Sequence, residues 1–300
     1  MILLNSKFDS AARQQKGTVT SLAKKIILGI DVGLSTTKIV GFDLTDGQRT
    51  LMEPLFVKAA DPITSMYGAL GKFTDENSLS LSDIEKVMVT GVGASDIKNN
   101  IYSLNWEAVS EFDCIGLGGR YLCDFDRAII ASLGTGTALV YSEKGSSPVY
   151  LGGTGVGGGT LVGLSKKLLG MDTVEHIDDL AKSGNIKNVD IKINALTKQD
   201  IAPGFADSMT ASNFGNVSDI ATNADLALGI INMVFETVGM VSVFAARNYG
   251  LKDIVLTGNL TTVSQASAVF ESLNRMFDMN FVIPKYSRFG TVIGAALAGI

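Results

Sequence analysis

At 300 residues, with 46% hydrophobic and 18% charged side chains, the chain can bury one large core or two of about 150 residues. Its formal net charge of −5 leaves no electrostatic footprint for nucleic acid or an anionic membrane. No apolar run reaches the roughly 18–20 uncharged residues that span a bilayer; the closest, 226–246, is interrupted by Asn232 and Glu236.

Residues 1–25 read as a flexible N-terminal extension. Their apolar stretch is only Ile2–Leu4, ahead of any basic residue, so they are not a secretory signal. Residues 26–40, IILGIDVGLSTTKIV, are an apolar run, an Asp, a Gly-containing turn with hydroxyls, and a second apolar run. That pattern predicts a hairpin whose backbone N–H groups form an anion nest. A helix is expected around Ile63–Phe73, and a buried strand over Lys86–Thr90 ends in the turn GVGAS. The segment WEAVSEFDCIGLGGRYL reads as a loop entering a helix after Asp113.

The hairpin pattern then recurs at 128–140, AIIASLGTGTALV, with Ser132 where the first copy has Asp31. One copy therefore offers a carboxylate for a magnesium ion and the other offers neutral donors. Next, Gly152–Gly163 (GGTGVGGGTLVG) reads as a glycine loop opening a helix, where free N–H groups and the helix dipole favour phosphate. Residues 175–223 are polar, an excursion with few core contacts. The clearest helix is 225–249, apolar on nearly all sides, with Asp225 as N-cap and Gly250 just past its end. It belongs in the core or at a subunit interface, and its length favours a homodimer. DIVLT at 253–257 is another strand ending in Gly258-Asn259, and GTVIGAALAGI is a small-residue helix packed closely on a neighbour. Alternating strands and helices make the class α/β.

Two hairpins about 100 residues apart predict a duplicated nucleotide fold, with halves at 26–127 and 128–300 around a cleft. MgATP is expected with its phosphates between Gly33–Thr36, Gly134–Thr137 and the helix opening at Gly158, and with Asp31 reaching the metal. Ser35, Thr36, Thr37 and Lys38 are further phosphate candidates, though strand alternation lets only some of them face the cleft. Glu111 and Asp113 are either charges placed for a helix dipole or the source of a general base. Other motifs carry less. Gly153-x-Gly155-x-x-Gly158 matches a dinucleotide fingerprint but lacks the βαβ context, and there is no G-x-x-x-x-G-K-[ST]. Cys114 and Cys123 read as reduced thiols of a cytoplasmic protein, and the single His176 has no nucleophile motif beside it.

The order GIDVGLSTTKIV, VTGVGAS, SEFDCIGLG, SLGTGTA, GGTGVGGGTLVGL, MTASNFG, IVLTGN resembles type II pantothenate kinases over about 26–299. These belong to the superfamily of actin-like (ribonuclease H-like) ATPases, acetate and sugar kinases and heat-shock chaperone ATPases. The resemblance implies a dimeric ATP-dependent kinase that phosphorylates pantothenate in coenzyme A synthesis. It places the general base on Glu111. It places ATP contacts on Gly33, Leu34, Ser35, Thr36, Thr37 and Lys38, on Thr135, and on Gly158, Gly159, Thr160, Leu161 and Val162, with the nucleoside near Val174 and Asn259. The family has an Arg where this chain has Tyr150, and a Tyr cannot supply a fixed positive charge. A family Tyr that contacts pantothenate is not evident in FVIPKYSRFGTVIGA. The first hairpin is also similar to ATPase activators of 2-hydroxyacyl-CoA dehydratases, but their GGQD motif and cysteine context are missing here. A non-catalytic or regulatory nucleotide-binding homologue is the remaining alternative.

Overall fold

The structure, a computed structural model, describes residues 24–33, 36–58, 61–97, 101–193 and 210–300. Nearly all of the N-terminal extension, and Leu34 and Ser35 of the first turn, lie outside the described residues.

Strand β1 (Ile26–Val32) pairs antiparallel with β2 (Thr36–Asp43), which also carries β3 (Thr50–Leu51) and β4 (Leu55–Lys58). After helix α1 (Pro62–Glu76), strand β5 (Ile84–Thr90) returns parallel to β1, and β6 (Trp106–Ala108) runs parallel to β5. The sequence IILGIDV is buried at every position but Asp31 rather than alternating, as a strand covered on both faces must be. On one face Leu28, Ile30 and Ile39 pack against Met66, Leu70 and Phe73 of α1.

Helix α2 starts at Glu111 and runs to Cys123, one turn earlier than expected: Ser110 is its N-cap, and the acidic first turn suits the helix dipole. The residues just before it, read as loop, contain β6. Strands β7 (Arg127–Leu133), β8 (Thr137–Glu143) and β9 (Val149–Thr154) form an antiparallel meander. Helices α3 (Gly158–Leu169) and α4 (Val174–Ala181) follow, then the short hairpin β10 (Ile191–Lys192) and β11 (Thr210–Ser212). Helix α5 (Asn223–Asn248) precedes β12 (Asp253–Thr257), α6 (Ala266–Phe277), β13 (Asn280–Val282) and α7 (Gly290–Ala298). The second sheet has the order β13-β12-β7-β8-β9, with β12 parallel to both β7 and β13.

The cap of α5 differs from expectation. Thr222 is the N-cap, and Asp225 sits in the first turn as the other half of a capping box. Asp225 accepts from the backbone N–H of Thr222 and of Asn185, at 2.8 and 2.6 Å, and from Asn188 Nδ2 at 3.0 Å. These donors favour the anion and hold its carboxyl down at about 2. The C-terminal expectation holds, with Gly250 left-handed at φ 62°.

The stretch 175–223 is less detached than its polarity suggests. Ile177 and Ala181 of α4 are buried in the core that contains Ile230, Ile231 and Val234 of α5. The polar residues that interrupt α5 hold the β10–β11 hairpin: Asn232 donates to Asp190 at 2.8 Å, and Glu236 accepts from Thr210 Oγ1 at 2.6 Å. α5 is long and apolar enough to cross a membrane by composition, yet 61% of its most apolar window is buried inside the protein.

The two sheets are joined by an exchange of helices. α2, which precedes the second sheet, lies on it through Ile115 against Ile130, Val140 and Val255. α7, at the far end of the chain, crosses back to the first sheet, where Val292, Ile293 and Ala296 meet Val40 and Phe42. The helices touch backbone to backbone: a Cβ on Gly118 would stand 1.8 Å from the Gly290 carbonyl oxygen, and one on Gly294 would stand 1.8 Å from that of Cys114. This contact seats both sheets' open ends around one cleft.

Candidate active site

Across the hairpins, side chains on one face follow from register. In the first, Asp31 stands opposite Lys38, and Lys38 stands opposite Phe56 of β4. In the second, Ser132 stands opposite Ala138. Alternation sends Thr36 and Lys38 to this inner face, where both line the cleft, and buries Thr37 on the other. The cleft holds about 640 Å³ and is walled by Asp31, Gly33, Lys38 and Glu111 from the first sheet's side. Ser132, the 134–137 turn, Tyr150 and Asn259 close it from the second. The two turns therefore face one another across a common space, as the repeat predicts.

The parallel strands β5 and β12 end alike. Each finishes in Thr-Gly, with Gly91 at φ 89° and Gly258 at φ 96°. A Cβ on Gly91 would meet Asp31 Oδ1 and Val32 O at 2.6 Å, and one on Gly258 would meet Leu133 O at 2.5 Å. Each glycine lets the crossover leave the sheet while touching the neighbouring hairpin. The signal was present in VMVTG and IVLTG, a second internal repeat that the first overshadowed.

The charges in the cleft perturb one another. Burial pushes the Asp31 carboxyl up, and Lys38 opposes that shift. Burial likewise pushes the Lys38 ammonium down, partly offset by Asp31 and Glu111, while Arg288 pushes it the same way as burial. Glu111, on the first turn of α2, is raised by burial and then by the Asp31 charge, with Lys38 opposing. A carboxylate raised in this way is better matched to taking a proton near neutral pH.

Tyr150 lies on β9 opposite Val140 and stacks on Phe112, with ring centroids 3.9 Å apart and planes 18° from parallel. The residue beside Glu111 is therefore fixed against Tyr150.

The start of α3 is arranged differently from a free phosphate cradle. The Gly158 N–H donates to Gly134 O at 2.9 Å, and the Gly159 N–H donates to Thr135 O at 2.8 Å. These donors shape the 134–137 turn. Gly136 and Gly157 allow the close approach, since a Cβ on Gly157 would lie 2.8 Å from Gly136 Cα. Thr160 Oγ1 turns back to Gly155 O at 3.0 Å. Leu161 is fully buried and Val162 packs on the same core, so neither side chain reaches the cleft. Val174, the first residue of α4, packs on that core as well, whereas Asn259 lines the cleft.

Residues 125–281 match the family model named Fumble. The type II pantothenate kinase of Staphylococcus aureus (strain USA300) is 32% identical over 245 residues, covering 77% of this chain and 84% of that protein. The enzyme of the same name from Bacillus cereus (strain AH820) is 29% identical over 244 residues, covering 77% and 82%. Among solved structures, the activator of the 2-hydroxyisocaproyl-CoA dehydratase from Clostridium difficile with bound ADPNP superposes with a TM-score of 0.63. It is 18% identical and covers 91% of this chain and 93% of that one. A ROK family glucokinase from Streptomyces griseus in complex with glucose and AMPPNP gives 0.57 at 11% identity, covering 91% and 98%. At those identities the structures establish the fold, that of the actin-like ATPases and sugar kinases. Duplicated hairpins, facing turns and sequence kinship agree, and the chain belongs to the Fumble, or type II pantothenate kinase, family.

Proposed function

We propose that this chain is an ATP-dependent kinase that transfers the γ-phosphoryl group to a primary hydroxyl, pantothenate's being the best-supported acceptor. The observation that carries the reading is Glu111, a raised carboxylate on the wall of the cleft that also presents Asp31, Lys38 and the 134–137 turn. Thr36 and Lys38 meet the phosphate chain from one side, and the N–H groups of Thr135 and Gly136 meet it from the other. Glu111 takes the proton of the acceptor hydroxyl as its oxygen bonds to Pγ. The bond from Pγ to the bridging oxygen breaks, and ADP leaves with that electron pair.

The donor set suits magnesium. Among the described residues no group of three His, Cys, Asp or Glu could cage a metal. Asp31 with phosphate oxygens and water is the sparse oxygen coordination that Mg²⁺ takes in kinase sites, where it neutralises phosphate charge.

The test is coupled ADP release with and without pantothenate. Turnover should require pantothenate, and Glu111→Gln should lower it about 10²–10⁴-fold with nucleotide binding retained. Full activity in that variant would reject the base assignment. Tyr150 favours a second reading, a regulatory homologue, because a neutral ring cannot neutralise transferring phosphoryl charge. Nucleotide binding without any turnover would select it. The activator reading is weaker here: Cys114 is fully buried against α7, its thiol pushed up to about 12 chiefly by burial.

A homodimer across α5, in the cytoplasm, completes the proposal. Phe244 stands 59% exposed on that otherwise mostly buried helix. A monomeric mass by light scattering at micromolar concentration would remove the dimer.

A further inference from the structure

Among the described residues that line the cleft, Lys38 is the sole cation, and it already faces Asp31 across the hairpin. A nucleotide triphosphate brings more negative charge than one such lysine offsets. A second cation, which no motif of the sequence announced, is bonded to Asn259 of the cleft wall.

Arg288 lies in the turn that leads into α7. Its guanidinium carbon sits 4.0 Å from the centroid of the Phe56 ring, on the first sheet. Its Nε donates to Asn259 Oδ1 at 3.2 Å, on the second. The side chain thus bridges the two halves. Phe56 stands opposite Lys38, so the stack sets the guanidinium on the inner face next to the phosphate lysine. The backbone beneath it is tied down: the Gly258 N–H donates to Ser287 O at 2.9 Å, and the Ser287 and Thr261 hydroxyls bond at 2.8 Å.

A guanidinium carries five N–H donors in a planar fork that matches phosphate oxygens. Only Nε is used; both terminal nitrogens lack a hydrogen-bond partner among the described residues. A cation held over a ring, half buried, with its forked edge free, is preorganised for an anion. Its charge reaches Lys38, whose ammonium it pushes down; burial pushes the Arg288 guanidinium itself down, and Glu175 at the start of α4 opposes that shift.

We infer that Arg288 is a phosphate-binding residue, its free edge contacting the phosphate chain of the bound nucleotide from the seam between the halves. This rests on reading the cleft as a nucleotide site. It gives the protein a second cation on that chain, supplied by the C-terminal turn, and it makes nucleotide binding tie Phe56 to Asn259.

The experiment is calorimetric titration of wild type, Arg288→Gln and Arg288→Lys with MgADP and with Mg-AMPPNP, alongside apo melting curves. Arg288→Gln should bind both nucleotides roughly tenfold or more weakly, the scale of one charge-assisted hydrogen bond, with an apo melt lowered by no more than a few degrees for the lost stack. Arg288→Lys should recover most of the loss, because a point charge still serves a phosphate. Wild-type affinity in Arg288→Gln would overturn the inference. So would a lysine variant as weak as the glutamine one, which would assign Arg288 to holding Asn259 and Phe56 alone. A wild-type protein that binds neither nucleotide would instead refute the cleft reading itself. Tight nucleotide binding without pantothenate-dependent turnover would reject only the kinase, leaving Arg288 in place.

Discussion

Hairpin β1–β2 sets Asp31 against Lys38, and hairpin β7–β8 sets Ser132 against Ala138 at the matching position. In the first, the Gly33 N–H bonds to Thr36 O at 3.0 Å. The turn of the second is the three residues 134–136, closed at 2.9 Å from Gly134 N–H to Gly136 O. One backbone plan thus carries two chemistries. The charged copy is buried, and its groups shift one another's protonation. The neutral copy depends on shape: Gly157 and Gly158 let the start of α3 press on the turn, where a Cβ would lie 2.8 Å from Gly136 Cα and 2.9 Å from Gly134 O. Charge is concentrated where Glu111 can feel it, and the opposite wall presents backbone and hydroxyl groups.

That contrast can be broken first at Asp31. Asp31→Asn keeps the shape and removes the anion, so magnesium-dependent turnover should fall at least about 10–100-fold, the range seen when a group that orients a metal is lost. Titration with MgATP and with metal-free ATP would show whether the loss lies in the metal-dependent part. Equal loss in both would make Asp31 a turn residue that happens to be charged.

The pH profile sharpens the comparison. Glu111 must be ionised to act, and its carboxyl is raised by burial and by Asp31. The acid limb of kcat/KM should therefore lie above the ordinary carboxylate range, with activity rising as pH rises through the folded-state value. In Asp31→Asn one of the raising causes is gone, so the limb of the residual activity should move to lower pH. Its failure to move would mean that Glu111 is not the titrating base.

At Tyr150 the expected change is smaller. Tyr150→Arg should raise pantothenate-dependent turnover severalfold, limited by the loss of the stack on Phe112, which is worth about 0.5–1.5 kcal/mol. No change would mean that the acceptor differs from pantothenate or that Tyr150 is not what limits the rate.

The smallest effect is expected on the neutral hairpin. Ser132→Ala removes one uncharged hydroxyl and should weaken nucleotide binding by roughly 2–10-fold. A loss as large as that at Asp31 would show that the two hairpins divide the work more evenly than their charges suggest.

Much of this was legible in the chain because local rules decide it. Apolar runs around Gly-containing turns define hairpins wherever they fall, and the ligand-side order Asp31, Gly33, Lys38 follows from a strand's two-residue period. The repeat at 128–140 carried the fold class, since a duplicated phosphate hairpin has few architectures to sit in. The EFD segment pointed to Glu111, although the start of its helix depended on Ser110 rather than on Asp113. The cap of α5 was misplaced by three residues for a related reason: Thr222 and Asp225 are both good caps, and only the reciprocal bonds between them decide which one ends the helix.

What tertiary structure alone decided is which groups meet. The donors at the start of α3 read as free, yet the neighbouring turn takes two of them. Residues 175–223 read as detached because they are polar, yet Asp190, Asn213 and Glu236 satisfy one another inside the fold. Arg288 has no motif, since its position depends on α7 returning to the first sheet and on Phe56 arriving from β4. Sequence determines the conformation of neighbours through torsions and hydrogen bonds close along the chain. The juxtaposition of residues more than two hundred positions apart depends on packing the whole core, and here that packing assembles the cleft.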